Sequence, residues 1–160
     1  MKKYLWMIYA VVLLAVTSCQ VKTELTDDQK ASIEKELKIQ NDGIISALNQ
    51  LDANALSEYF SKDEFISVNS GINYFSTRSV FLDSVTYWFS KRESQRVELV
   101  DLHIIALTSE LALMTNKANW NILLKSGDNL KVNAVVSSLW KKEQAGWKQI
   151  HMHESWAMAE

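Results

Sequence analysis

Proline is missing from this sequence altogether, glycine occurs four times in 160 residues and cysteine once. With no proline and no glycine-rich stretch there is no low-complexity linker at which to divide the chain, so it reads as one domain. Four scattered glycines exclude a glycine-rich phosphate loop, and there is no Gly-x-Ser-x-Gly elbow. A lone cysteine, Cys19, can form neither an intrachain disulfide nor a Cys-x-x-Cys site, so the fold must hold by its apolar core. Charge of one sign is scarce too: 17 basic and 19 acidic residues give a net −2. The basic pairs Lys91-Arg92 and Lys141-Lys142 read as solvated ends of elements. A chain without a basic cluster is not expected to bind nucleic acid.

Long apolar runs are absent except at the start, where Lys2 and Lys3 precede an apolar run of 12 residues from Leu5 to Val16. That falls short of the roughly 20 residues a spanning helix needs, so residues 1–18 read as a signal peptide. The run closes on Val16-Thr17-Ser18-Cys19. This resembles the bacterial lipobox, in which an aliphatic and two small residues precede a cysteine that is lipidated and becomes the mature N-terminus. The resemblance implies lipid on Cys19, a tether over residues 19–25, and a globular domain over residues 26–160. It implies a membrane-anchored protein of the cell envelope. Gln20 stands where an aspartate is associated with inner-membrane retention, which points to the periplasmic face of the outer membrane in a Gram-negative cell.

Within the domain, Thr26-Asp27-Asp28-Gln29 has the form of a capping box, and Ile33, Leu37, Ile44, Leu48 and Leu51 follow at helical spacing. Asp52 is placed to cap a short second helix running through Phe60 and carrying Leu56 and Tyr59. Phe65 to Val68 reads as a strand, Asn69-Ser70-Gly71 as its turn, and Ser76 or Thr77 as the start of a third helix with Phe81, Val85 and Trp88 along one flank. From Val97 the pattern alternates, broken by small turns at 108–110, 126–129 and 144–146. Four antiparallel strands are expected, near 97–107, 111–125, 130–142 and 147–157. Helices followed by such a meander define an α+β domain with the helices on one face of the sheet.

This order, closing on a Trp-x-x-Ile-His-x-His-x-Ser strand (Trp147, Ile150, His151, His153, Ser155), resembles the SnoaL-like branch of the nuclear transport factor two-like superfamily. The same strand is similar to the closing strand of the calcium/calmodulin-dependent kinase association domain, and Asp63, Phe65 and Gly71 resemble the turn before the family's third helix. The likeness covers Leu25 to Ala157. It implies a cone-shaped α+β barrel, with three N-terminal helices packed on a strongly curved, mostly antiparallel sheet, a pocket inside, and a homodimer formed through the sheet face. It implies no cofactor. Family functions range from isomerases, dehydratases and cyclases to binding and assembly modules, so the site residues must decide.

Strict alternation on the last strand puts His151, His153 and Ser155 on one face and Ile150, Met152 and Trp156 on the other. The histidine row is expected to set the polar end of a pocket for a small apolar or amphipathic molecule, and His151 and His153 are the candidate catalytic pair, since imidazole can exchange protons near neutral pH. Ile150, Met152 and Trp156 are then left to packing or a partner subunit. Tyr59, Trp88, His103 and Trp120 are expected along the pocket walls. A His-x-His pair with His103, or with Asp101 beside it, has the residue types of a zinc site, but the family resembled does not generally use metal and none is expected here. Tyr59 as donor and Asp101 as base would be the counterparts of a ketosteroid isomerase's groups, a pattern from which this chain departs. Three readings stay open: a ligand-binding lipoprotein, a cofactor-independent lyase, isomerase or cyclase, and an assembly domain in which Trp140 or Trp156 works through the sheet face.

Overall fold

Thr26 starts the first helix as its residue type requires. Its hydroxyl accepts from the Gln29 N–H at 3.3 Å, and its own N–H donates to Gln29 Oε1 at 2.9 Å. Asp27 and Asp28 in the first turn complement the helix dipole. Helix α1 (Asp27–Asn49) then buries Ile33, Leu37, Asn41 and Ala47 along one stripe. Leu51 turns the chain with a left-handed φ of 54°, and Asp52 accepts from the N–H groups of Asn54 and Ala55 to cap α2 (Ala53–Ser57). That helix stops short of Phe60, because Phe60 instead forms a parallel bridge with Gln149. The structure is a computed structural model describing residues 24–70 and 73–159; the signal peptide expected over residues 1–18, Cys19 and Gly71 lie outside the described residues. Among the described residues no helix is long and apolar enough to cross a membrane.

A short hairpin follows, β1 (Ile66–Asn69) and β2 (Asn73–Phe75), with Ser70 taking a φ of 52° at the turn. The three-residue β2 carries too little alternation to be read from sequence. Thr77 accepts from the Val80 N–H to cap α3 (Arg78–Lys91). The chain then enters β3 (Arg92–Ala106), β4 (Leu111–Leu124), β5 (Asn129–Glu143) and β6 (Gly146–Met158). The six strands form one sheet in the order β2-β1-β6-β5-β4-β3, antiparallel throughout except that β1 runs parallel to β6. The sheet curves around the helices without closing, which refines the expected barrel to an open cone.

Bulges bend it. Register shifts fall between Arg92 and Ser94 and between Leu99 and Asp101 on β3, and again where β5 pairs with β6. Two clusters fill the inside. At the closed end, Trp140 and Trp147 pack with Leu37, Ile33 and Met114, and each indole N–H finds an acceptor: Ser138 Oγ at 2.9 Å and Glu36 Oε2 at 2.8 Å. Beside α3, Phe60, Phe65 and Phe81 meet at ring centroids 4.7 to 5.2 Å apart. At the far end of α1, Asn49 Oδ1 accepts from the edge N–H of Val97 at 2.7 Å and the Leu48 carbonyl accepts from Gln95 at 2.6 Å, fastening the helix to β3.

Tyr59 packs against α1 at its glycine. A Cβ on Gly43 would stand 2.0 Å from the Tyr59 hydroxyl and 2.7 Å from its ring. Gly43→Ala should therefore destabilise the domain by about 1–3 kcal/mol through overpacking, against the gain of roughly 1 kcal/mol that helix propensity alone would bring. Urea denaturation of the two proteins checks the sign.

Candidate functional site

Side chains on a strand alternate, so one extra residue reverses every face that follows it. On β6, Gln149 pairs with Trp140 and His151 with Leu139, which leaves Ile150 unpaired as the extra residue. Before it, Trp147 and Gln149 point inward. After it, Met152, Glu154, Trp156 and Met158 do. The expected histidine row is corrected by this bulge: His151 and His153 are exposed on the outer face and do not line the cavity, and the face assigned to packing is the cavity wall.

His103 lies on that outer face as well, its side chain 75% exposed and 3.1 Å from Asp101. The register aligns His103, Thr115, Ser137 and His153 in one row, so three strand spacings of about 4.8 Å separate the two imidazoles, too far to share an ion. Among the described residues no three His, Cys, Asp or Glu side chains gather as a metal set. Tyr59, wedged against Gly43, is also outside the cavity wall. Trp88 and Trp120 do line it. Trp140 is fully buried at the closed end and Trp156 sits at the cavity mouth, so neither belongs to the outer sheet face.

The cavity has a volume of about 520 Å³ and lies between α1, α3 and the concave side of the sheet. Its walls are mostly apolar: Phe81, Val97, Ala118, Val132, Ala134 and Val136 contribute. Trp88, Leu99, Trp156 and Met158 line it yet remain open to solvent, forming the mouth. Among the described residues Glu154 is the one carboxylate on this wall and Arg92 the one cation. Burial pushes the Glu154 carboxyl up to about 7, and the Arg92 guanidinium only partly opposes this. Burial likewise lowers Arg92 from its usual value, offset by Glu154. Arg92 is steadied by the Gln95 side-chain oxygen and stacks over Phe89 at 5.8 Å.

Sequence reasoning missed Glu154, Arg92, Asn41, Asn116 and Gln149. Three of them had a common signal. Glu154 interrupts Met152, Trp156 and Met158 on β6; Asn116 interrupts Met114, Ala118 and Trp120 on β4; Asn41 interrupts Ile33, Leu37 and Ile44 on α1. Each is a polar residue in an apolar stripe, and the fold brings all three to one cavity.

An open curved sheet wrapped around three helices, with a cavity inside, is the nuclear transport factor 2-like cone. The chain belongs to the SnoaL-like domain family, whose model matches residues 38–160. Similar solved structures include a dehydratase candidate of the NTF2-like family from Streptomyces avermitilis (19% identity, 81% of this chain and 99% of that one, TM-score 0.71). An NTF2-like superfamily protein from Salmonella enterica serovar Typhimurium is 13% identical over 78% of this chain and 91% of its own, with a TM-score of 0.72. Hexachlorocyclohexane dehydrochlorinase LinA-type3 from Novosphingobium barchaimii is 12% identical over 84% and 92%, with a TM-score of 0.69. At these identities the likeness establishes the fold. No curated protein matches the chain by sequence.

The carboxyl in the cavity makes stability depend on pH. Glu154 holds its proton more tightly folded than unfolded, so the native state binds the extra proton between its ordinary value of 4.5 and about 7, and stability falls as pH rises through that window. The loss should be about 3 kcal/mol in the wild type. Glu154→Gln should lack this component, and urea denaturation at pH 4.5 and pH 8 on both proteins measures the difference in slope.

Proposed function

We propose that the protein is a lipid-anchored envelope protein whose cone binds one small apolar or amphipathic molecule. The observation that carries this reading is the cavity: about 520 Å³, walled by aliphatic and aromatic side chains, with the Glu154 carboxyl and the Arg92 guanidinium to orient an occupant. That size and composition are those of a small-molecule pocket. Lipid on Cys19 supplies the tether, and two copies meet through the outer sheet face, where Ile66, Ile105 and Val135 stand exposed beside the three histidines. Native mass spectrometry of protein extracted from membranes in mild detergent should then show a lipidated dimer with one organic molecule per chain. A bare protein whose melting temperature does not move with any member of a panel of aromatic amphiphiles would sink the binding reading.

A second reading, a cofactor-independent lyase, isomerase or cyclase, is favoured by one observation. A carboxyl poised at about 7 is matched to taking up a proton at neutral pH. In such a reaction Glu154 would break a substrate C–H bond and keep the proton, while Arg92 balanced the negative charge left on the substrate. The dehydrochlorinase and dehydratase likenesses support this role by fold alone. The imidazoles of His151 and His153, on the outer face, take no part in it. Glu154→Gln separates the two readings: an enzyme should lose about 10²- to 10⁴-fold in turnover with affinity largely kept. A binder shows no turnover in either form, and the substitution alters affinity alone.

A further inference from the structure

Across the sheet, the register sets Leu102, Asn116, Val136, Glu154 and Asn69 in a single row. Asn116 and Glu154 therefore stand two strands apart, roughly 10 Å at the usual strand spacing, with Val136 between them. Asn41 of α1 joins Asn116, whose Nδ2 donates to Asn41 Oδ1 at 3.3 Å. The cavity thus has two polar poles on either side of an apolar strip.

The Asn41 pole is incomplete. Asn41 is 2% exposed, lines the cavity, and its Nδ2 meets no hydrogen-bond partner among the described residues. The buried Gln149 Oε1 and Trp120 Nε1, also on the cavity wall, are in the same position. Native interiors seldom leave a buried amide donor unmet, because its desolvation is then uncompensated. A residue needed only to fill this stripe would be aliphatic, like Ile33, Leu37 and Ile44 on the same helix.

We propose that Asn41, oriented by Asn116, is a specificity-determining residue whose Nδ2 donates to an oxygen on the ligand, and that the ligand is a ring-sized apolar molecule with oxygen functions on two opposite edges. One edge meets Asn41 and the other meets Glu154. This rests on the cavity-binding reading above. The Asn41 edge must carry an acceptor, because the free Nδ2 only donates. It is a neutral acceptor, a carbonyl or an ether, because Arg92, the one cation on the cavity wall among the described residues, lies with Glu154 at the other pole.

Two probes test this: 2-naphthol, and 6-acetyl-2-naphthol, which adds a carbonyl on the opposite edge. Calorimetric titration of the wild type should show the acetyl arm tightening binding by about five- to tenfold, the yield of one hydrogen bond to a neutral acceptor. In Asn41→Leu both probes should still bind, with the arm's advantage reduced to about twofold or less. In the wild type, the Asn41 side-chain amide resonance should shift with the acetyl probe and stay put with 2-naphthol, a readout that does not depend on the variant folding. An advantage retained in Asn41→Leu, or an unmoved amide resonance, overturns the Asn41 pole while leaving the cavity reading intact. Failure of both probes to bind the wild type removes the cavity reading and this inference with it.

Discussion

One unpaired residue decides what this protein encloses. A strand offers its side chains alternately to two faces, and Ile150 inserts a single step between the half of β6 that seals the closed end and the half that walls the cavity. Trp147 and Gln149 face inward on one phase; Met152, Glu154, Trp156 and Met158 face inward on the other. Without the insertion, the histidines would enter the apolar interior and the glutamate would stand in water. A bulge also bends the strand that carries it, so the irregularity that selects the lining residues contributes to the curvature of the sheet.

The architecture was readable because it is local. A capping box, an Asp cap, a Thr cap and four alternating strands each announce themselves within a few residues; the structure adds the three-residue β2 and an earlier start to β3, ends α2 before Phe60 and leaves the sheet open. The site was harder because it depends on phase across a long strand. Nothing in "KQIHMHESW" marks which residue will go unpaired, and histidines spaced two apart draw attention that the geometry does not reward. What the sequence did hold was a quieter pattern: Asn41, Asn116 and Glu154 each break an apolar stripe in a different element. A polar residue where packing calls for an aliphatic one carries an energetic cost, and that mismatch is the better pointer to a site than the residue types traditionally tied to catalysis.

That cost is spread in a telling way. At the closed end the indole N–H groups of Trp140 and Trp147 are met by Ser138 and Glu36. The cavity end holds the carboxyl that burial pushes up to about 7 and the amide and indole groups that meet no partner among the described residues. Packing and satisfied polar groups gather at one end and unsatisfied ones at the other, which is the usual relation between a scaffold and the site it carries.

The fastening of α1 to β3 reaches beyond the cavity. Because the cone does not close, β3 ends the sheet with a long row of backbone groups, the kind of margin along which a second chain could lay down another strand. Two bulges break the spacing of that row, and Asn49 occupies the N–H of Val97. One position on that margin is therefore already taken and its spacing is broken twice, so an added strand could not run in continuous register along β3.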